Sequence, residues 1–313
     1  MRRIYSLVCS LCFVVYGYAS DENLPPFVTC RISGQLTNNL NQIATTLAYA
    51  WDFGAEPFFP ELNKSDLNTP YNRDHFFFRL NHSFPPRPVQ NIYNEYENGG
   101  GWWDCNPIPF KPDQYLKGDF FCWRHFHHHR EKLLDLFAPS PEVLCYIHNK
   151  YGWLLSHPMT VSIHVRTYNK AYHESILRFI GMEYYKQAMD YFPPETLFVV
   201  FSDRINWCKH HFPSFNKQII FIEGNDHIAD FFLMSMLKSH IITNSCYSWW
   251  AAYFNSQPGK VVIAPKRPGR LQNDDVNENI YFPDWILIDP NLNEPYPSDI
   301  KDYDPYSTSV DTQ

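Results

Sequence analysis

The second half of the chain alternates apolar segments with helical ones, and this pattern restricts the fold more than any other feature of the sequence. The segments Thr160–Val165, Leu197–Phe201 and Gln218–Ile222 have the length and apolar character of buried strands. Ile241–Thr243 and Lys260–Ala264 continue the series. Because apolar strands separated by helices form a parallel sheet that is covered on both faces, the sequence predicts an α/β fold.

Polar side chains collect where these predicted strands end. They are His164 with Arg166, Ser202 with Asp203, Glu223, Asp226 with Asp230, and Asn244 with Ser245. In open parallel sheets, ligands bind in the crevice outside the carboxyl ends of the strands. One polar strand end is ordinary, whereas five on one edge favour a nucleotide-binding crevice.

The stretch Ile241–Pro265 is predicted to be a strand, a polar turn, a helix and a second strand. Asn244, Ser245 and Ser248 supply cap and turn chemistry directly before the helix. A helix that begins there offers a phosphate its free N–H groups and the positive end of its dipole. The same pattern occurs in any βαβ unit, and most such turns bind nothing.

His164 and Arg166 flank Val165, so their side chains project to the same face of the strand. A guanidinium in this place can bind a diphosphate with two hydrogen bonds and stays charged at any working pH. Fixed positive charge stabilises a departing diphosphate without a metal. The structural alternative pairs Arg166 with Asp203 or Asp230, and the two roles are compatible.

The first half of the chain begins with the predicted strand Phe27–Ile32, which an amphipathic helix follows. Asn38 and Gln42 lie on its polar face, which either meets solvent or lines the mouth of a cleft suited to sugar hydroxyls. Residues 57–115 are irregular. Trp102 and Trp103 in this segment either pack as a loop core or stack on a sugar ring.

A run of histidines lies in the predicted helix Phe120–Phe137. His125 and His129 have the i, i+4 spacing of zinc ligands, but no Glu or Cys completes a set, so we expect no metal. Pro139 and Pro141 are predicted to end this helix and to begin a link between two domains.

Composition and the N-terminus limit the partners and the compartment. The 26 Lys and Arg against 33 Asp and Glu give a net charge of −7 without a basic stripe, which argues against a nucleic-acid partner. Residues 1–20 resemble a signal peptide or a short membrane anchor, with possible membrane association through residues 4–19. Their apolar run is short for a spanning helix, so cleavage is favoured. Beyond residue 20 the chain has six cysteines, which permit disulfides, but the sequence does not determine how they pair.

Several segments, in order, resemble the family of inverting α-1,2-fucosyltransferases that use GDP-fucose. Gly34–Gln42 is similar to the family's GxLGNQxxQ segment, and Leu116–Phe126 to its GYFQSxKYF segment. His164-Val-Arg166 resembles HxRRGD, and Phe201–Lys209 resembles FSDDxxWCK. The densest match combines Asp230 and Leu233-Met234 with Asn244–Tyr253, against D..LM and NSSFSWWGAWL.

The resemblance implies a GT-B-like α/β fold in which two Rossmann-like domains face a cleft. Residues 24–156 would form the acceptor-side domain, 159–288 the domain that binds the nucleotide sugar, and 289–313 an acidic tail. The implied reaction moves L-fucose from GDP-fucose to a galactoside hydroxyl with inversion and without metal or cofactor. The partners would be the nucleotide-sugar donor and a glycan. The compartment would be the Golgi of a eukaryote, or the exported or membrane-associated fraction of a bacterium.

The resemblance also assigns roles to single residues. Arg166 would hold the β-phosphate and assist departure of GDP, and His164 would shape the same pocket. The donor would also meet Asp203, Asp230, Asn244, Ser245 and Ser248, with Asp230 facing the guanosine. Asn38 and Gln42 would face the acceptor.

The segment after Arg166 departs from the family pattern. Thr167 replaces the second Arg, and Asn169 replaces the Asp. Asn cannot act as a carboxylate base, so a base would come from elsewhere, for example His173 or Glu174. This departure keeps two alternatives open: a catalytically weak relative that binds glycan or nucleotide, and a fucosyltransferase of different linkage.

Overall fold

The computed structural model describes residues 24–97, 104–168, 170, 178–266, 277–291 and 295–300. The predicted leader at residues 1–20, Trp102 and Trp103, and most of the predicted tail lie outside these ranges. Within them, no helix combines the length and the apolar character that crossing a membrane requires.

The first sheet is formed by four short parallel strands. They are β1 (Phe27–Cys30), β2 (Glu56–Phe58), β3 (Asn91–Asn94) and β4 (Gln114–Lys117), in the order β2-β1-β4-β3. Helix α1 (Leu36–Phe53) follows β1 and packs against it. The carboxyl ends of β1 and β4 therefore lie side by side, next to the start of α1.

The second sheet contains six parallel strands. They are β5 (Thr160–Val165), β6 (Leu197–Ser202), β7 (Gln218–Phe221), β8 (Ser239–Ile241), β9 (Val262–Pro265) and β10 (Ile286–Ile288), in the order β10-β9-β8-β5-β6-β7. Counted from β5, this is the Rossmann strand order, which reverses between the first and the fourth strand. The reversal lies between β5 and β8, and such sheets bind their ligands at the carboxyl edge of this point.

Helices and short 3₁₀ turns connect the strands. Within the described ranges, the remaining helices are α2 (Thr69–His75), α3 (Arg130–Leu136), α4 (Pro141–Leu155), α5 (Met182–Asp190), α6 (Ile205–His211), α7 (His227–Met236), α8 (Cys246–Phe254) and α9 (Asn277–Ile280). The 3₁₀ turns are Pro60–Asn63, Trp123–His125, His127–His129 and Phe212–Phe215. The predicted α/β class, with two parallel sheets, is confirmed.

Helix α8 joins the two halves of the molecule in one core. Trp250 is fully buried and its ring stacks on Phe126 with the ring centroids 5.0 Å apart. Its indole Nε1–H donates to Asn41 Oδ1 of α1 at 2.7 Å. Because aromatic burial and a buried hydrogen bond act at one point, α1 and α8 are held against each other.

Two predictions about helices were wrong. The segment Phe120–Phe137 contains two 3₁₀ turns before α3, and at three residues per turn His125 and His129 do not share a face. The predicted link after Pro139 is the fifteen-residue helix α4. Pro141 opens it, since Pro is tolerated in the first turn, and Ser140 caps it by accepting the Val143 N–H at 3.3 Å.

The polar turn after β8 starts earlier than predicted. We expected a strand at Ile241–Thr243, but β8 ends at Ile241. The N–H of Thr243 donates to the Ser248 hydroxyl at 3.3 Å, so this residue already belongs to the turn. The Cys105–Cys122 disulfide resolves one of the pairings that the sequence left open, while Cys30, Cys145, Cys208 and Cys246 are free thiols.

Candidate active site at the facing edges of the two sheets

The charged and polar residues predicted to bind the diphosphate follow β5 and β8, the two strands between which the strand order reverses. Ile163 of β5 pairs with Ile241 of β8, so the segments that leave these strands start side by side. Arg166 leaves β5, and Asn244 and Ser245 leave β8. The structure therefore brings Arg166 and the polar turn to one crevice, the place where such sheets bind ligands.

Arg166 forms an ion pair with the end of the neighbouring strand. Its Nη1 donates to Asp203 Oδ2 at 2.9 Å, and its side chain keeps 20% of its surface exposed. The guanidinium also lies over the Tyr168 ring, 5.3 Å from its centroid. Of the two structural partners considered, Asp203 is the one that pairs with Arg166. The bridge orients the guanidinium at the crevice.

Asp203 also fixes the backbone after Arg166. Its Oδ1 accepts the Thr167 N–H at 3.0 Å, and its Oδ2 accepts the Thr167 hydroxyl at 3.2 Å. Thr167 is fully buried. Thr167, which stands where the family motif has its second Arg, therefore donates two hydrogen bonds to Asp203 and adds no positive charge to the site.

His164 is a neutral imidazole in this setting. Its side chain is 6% exposed, and Nδ1 has no hydrogen-bond partner among the described residues. Burial, and after it the positive charge of Arg166, lower the pKa of His164 to about 3. Its ring contacts the Tyr247 ring with the centroids 5.3 Å apart. His164 therefore contributes shape and a neutral hydrogen-bonding nitrogen, and no cation.

Short hydrogen bonds within the turn hold the start of α8. The Ser245 hydroxyl caps the helix by accepting the Tyr247 N–H at 3.3 Å. Ser248 is fully buried and its hydroxyl donates to the Ser245 carbonyl, so this hydroxyl is used inside the turn. Asn244 Nδ2 donates to the Arg178 carbonyl at 2.7 Å. Ser245 is the partly exposed member of the three.

Tyr168 links the two strand ends, and the sequence reasoning missed it. Its hydroxyl donates to the Asn244 carbonyl at 3.0 Å, and its own carbonyl accepts the Tyr296 hydroxyl at 2.9 Å. Tyr168 has a φ of 54°, which is unusual for a residue with a side chain. The only sequence signal was its position directly after the HxR segment.

Asp230 lies in a polar cluster between α7 and α4. Its Oδ1 accepts Asn225 Nδ2 at 2.7 Å. The other amide atom, Asn225 Oδ1, accepts Tyr146, Lys150 and Tyr151 at 2.7, 2.9 and 3.0 Å. Burial raises the pKa of Asp230 to about 6. No pattern pointed to Asn225, because its three partners in α4 are 74 to 79 residues away in the chain.

The two amides predicted for the acceptor side have different surroundings. Gln42 is fully buried: its Oε1 accepts the Ser33 N–H at 3.0 Å, and its Nε2 donates to the Ser33 hydroxyl at 3.0 Å. Gln42 thus holds the turn between β1 and α1. Asn38 is partly exposed and packs on Gly34, where an added Cβ would lie 2.8 Å from Asn38 Cγ.

The starts of α1 and α8 touch, so the carboxyl edges of the two sheets face each other. Thr37 Oγ1 and Cys246 Sγ are 2.9 Å apart. Burial raises the pKa of the Cys246 thiol; the Thr37 hydrogen bond and the charge of Arg166 lower it, and the charge of Asp119 raises it. A cation from the second sheet and a carboxylate from the first therefore lie near this contact.

The histidine run forms a different cluster from the one that its spacing suggested. His125 lies against the Asp104 carbonyl at 3.3 Å. His128 and His129 instead contact Asp52 at the end of α1, at 2.9 and 2.7 Å. Ligand-type atoms of these three residues lie within 4.8 Å of one another on the surface. The expectation that the chain needs no metal stays a prediction.

The base candidates that the sequence suggested cannot be placed. His173 and Glu174 lie outside the described residues, as does Asn169. The described contacts join Arg166 to Asp203, and Tyr168 to Asn244. They give Asp230 no direct contact with Arg166 or Ser245; Asp230 acts instead on Tyr247, whose pKa burial raises first and the Asp230 charge raises further.

A family model described as "Glycosyl transferase family 11" matches residues 109–289. This range includes β4, the whole second sheet and the crevice with Arg166, Asp203 and Ser245.

Individual relatives match over different lengths. "Alpha-1,2-colitosyltransferase" of Escherichia coli is 33% identical over 45% of this chain and 51% of its own length. "Galactoside 2-alpha-L-fucosyltransferase SEC1" of Bos taurus is 25% identical over 85% of this chain and 75% of its own. "O-antigen biosynthesis glycosyltransferase WbnK" of Escherichia coli is 30% identical over 44% of this chain, and the match spans about half the length of both bacterial relatives. The solved structure of fucosyltransferase NodZ from Bradyrhizobium gives a TM-score of 0.48 at 14% identity, over 73% of this chain and 92% of that one.

Proposed function

The chain belongs to glycosyl transferase family 11, and on this premise we propose that it transfers L-fucose from GDP-fucose to a hydroxyl of a galactoside. The observation that carries the proposal is the position of Arg166 beside the polar turn of Ser245, at the point where the strand order reverses. The relative from Bos taurus named as a galactoside 2-alpha-L-fucosyltransferase supports the 2-linkage.

In the proposed reaction, Arg166 holds the β-phosphate and stabilises the charge that develops as GDP departs. The Asp203 bridge keeps the guanidinium in place, so little reorganisation is needed during the reaction. Ser245 and backbone N–H groups at the start of α8 bind the diphosphate. Asn244 and Ser248 shape this turn, and neutral His164 lines the pocket without adding charge.

Asp230 is proposed to face the guanosine, and Asn38 the acceptor. Asp230 lies at the start of α7 and is partly exposed. A carboxylate can accept two N–H donors of a guanine edge. We also propose that the transfer proceeds with inversion and without a metal, because Arg166 supplies the positive charge for the leaving group.

The test is a transfer assay with purified protein, GDP-fucose and a β-galactoside. We expect release of GDP and formation of a 1,2-linked product with inverted anomeric configuration, and undiminished activity in excess chelator. Arg166→Ala is expected to abolish release, and the exposed Lys209→Ala to leave it unchanged. A panel of donors that includes GDP-colitose tests whether this chain transfers colitose, the sugar named for the Escherichia coli relative.

The second candidate function is binding of glycan or nucleotide without turnover. It is favoured by Thr167, which replaces the family's second Arg and is fully engaged with Asp203. GDP binding in calorimetry without transfer, for any donor and acceptor, would support this candidate and refute the enzymatic one. The secretory or exported location and any membrane association stay predictions, because they depend on the leader at residues 1–20.

A further inference from the structure

An inverting transfer needs a group that removes a proton on the acceptor side. As the acceptor oxygen bonds to the anomeric carbon, the bond from that carbon to the phosphate oxygen breaks on the opposite face. GDP leaves with the electron pair, and the hydroxyl proton must pass to a base. Asn169 stands where the family motif has Asp, and an amide cannot accept this proton at neutral pH.

The first sheet provides a carboxylate on the required side. Asp119 follows β4, whose neighbour β1 leads into α1. Because Thr37 of α1 touches Cys246 at the start of α8, the edge that carries Asp119 faces the edge that carries Arg166. The charges of both residues act on the Cys246 thiol, which lies at this contact. Arg166 belongs with the leaving group, and Asp119 lies across from it.

The loop that carries Asp119 is fixed by a buried carboxylate. Glu95 Oε2 accepts the backbone N–H groups of Asp119 and Phe120 at 2.7 and 3.1 Å. At Gly118 an added Cβ would lie 2.5 Å from this same oxygen, so only glycine allows the approach. Phe120 has a φ of 50° and a buried ring. A constrained backbone of this kind is typical of functional loops.

The Asp119 side chain is oriented but not enclosed. Its Oδ2 accepts the Tyr96 hydroxyl at 2.6 Å, and the side chain stays partly exposed. Among the described residues, no donor to the other oxygen, Oδ1, is found. One oxygen is therefore used to position the carboxylate, and the other is available for a hydroxyl of the acceptor.

We propose that Asp119 is the catalytic base that accepts the proton of the acceptor hydroxyl, while Tyr96 and Glu95 position it. The inference rests on the proposed fucosyl transfer. Glu95 itself is the competing candidate. It is buried, its Oε1 has no hydrogen-bond partner among the described residues, and burial raises its pKa to about 7. Its accessible surface is small, however, and Oε2 is occupied by two backbone donors, which suits an anchor better than a base.

The test compares transfer with donor binding in the full-length chain. Asp119→Asn keeps the size and the Tyr96 contact but removes basicity, so we expect the transfer rate to fall by about 10²- to 10⁴-fold. Affinity for GDP in calorimetry and the thermal midpoint should stay at the wild-type level. Glu97→Gln is the matched control on the neighbouring loop, which follows β3 and also carries Glu95 and Tyr96. Among the described residues, the Glu97 side chain contacts Asn94, so this variant should transfer at the wild-type rate.

Three outcomes would overturn this assignment, and they are distinguishable. If the wild-type chain transfers fucose and Asp119→Asn does so equally fast, Asp119 is not the base although the proposed function stands. If Glu95→Gln abolishes transfer at an unchanged thermal midpoint and Asp119→Asn does not, the base is Glu95. If the wild-type chain transfers no sugar at all, the proposed function fails first. For Glu95 as a positioning residue, we expect Glu95→Gln to lower kcat more than it changes acceptor KM.

Discussion

The carboxyl edges of the two sheets hold charges of opposite sign by the same device. In the second sheet, Asp203 after β6 binds both the side chain of Arg166 and the backbone of Thr167, which follow β5. In the first sheet, Glu95 after β3 binds the backbone of Asp119, which follows β4. In each case, a carboxylate from one parallel strand fixes the loop that follows its neighbour.

The difference between the edges lies in what the fixed loop presents. The second sheet presents a guanidinium, which suits a departing diphosphate, and the first presents a carboxylate, which suits a hydroxyl that loses its proton. Asp203 neutralises part of the charge that it positions, whereas Glu95 has the same sign as Asp119, and burial together with the Asp119 charge raises the pKa of Glu95 to about 7. Removal of the positioning carboxylate should therefore change the transfer rate to a different extent at the two edges.

Among the residues that position these loops, the largest effect is expected from Asp203 of the second sheet. Asp203→Ala removes the ion pair of Arg166 and the acceptor of the Thr167 N–H, so we expect the transfer rate to fall about 100-fold through misplacement of Arg166. Initial rates at saturating donor measure this effect. Asp203→Asn keeps an acceptor for Thr167, so its transfer rate should fall less than that of Asp203→Ala.

The matched control is the surface ion pair of Lys209 in α6 and Glu223 after β7. Glu223→Gln should leave the transfer rate unchanged and alter the free energy of unfolding by less than about 1 kcal/mol, as is usual for surface ion pairs. Wild-type rates for Asp203→Ala would contradict the view that this edge depends on a positioned cation.

The two edges also differ in how far the sequence predicts them. In the second sheet, strands of up to six buried residues are followed by polar residues, so the neighbourhood of Arg166 and Asp203 followed from the pattern. The pattern could not show that Thr167 ties to Asp203 or that Tyr168 ties to Asn244. These bonds join residues 36 and 76 positions apart.

In the first sheet, the strands have three or four residues and stand between long irregular segments. Period-two patterning needs more residues than this to be recognised, so β2, β3 and β4 were not predicted. Because β3 and β4 were not predicted, the pattern offered no reason to place Glu95 and Asp119 at the same edge of a sheet. The histidine run failed for a related reason: 3₁₀ turns replaced the helix whose spacing the prediction used.

A smaller effect is expected from Gln42, and it separates structure from binding in the first sheet. Gln42→Ala leaves the partly buried Ser33 N–H without its acceptor and removes a fully buried side chain, at a cost of about 2–3 kcal/mol in the free energy of unfolding. Urea denaturation measures this loss of stability.

Asn38→Ala, on the same helix but partly exposed, should change the free energy of unfolding by less than about 0.5 kcal/mol and raise the acceptor KM. If Gln42→Ala raises the acceptor KM at unchanged stability, Gln42 faces the acceptor and not the turn.

The smallest effect concerns Asp230 and depends on pH. The pKa of Asp230 is raised from 3.8 to about 6, chiefly by burial, so the folded chain keeps its proton after the unfolded chain has lost it. This carboxyl therefore destabilises the fold progressively between about pH 4 and pH 6, and by a constant amount above that. Asp230→Asn removes the effect and keeps an acceptor for Asn225. We expect the variant to gain about 1–2 kcal/mol over wild type at pH 7.5 relative to pH 4.

Denaturation of both proteins at the two pH values measures this gain. The reverse trend, with wild type gaining stability as pH rises, would mean that Asp230 is an ordinary paired carboxylate in the folded state. GDP should reduce the difference if Asp230 accepts the guanine donors, because bound N–H groups favour the ionised carboxylate that burial disfavours. An equal difference with and without GDP would remove Asp230 from the guanosine side. The polar strand ends of the second sheet would then divide into those that bind the donor and those that only join α7 to α4.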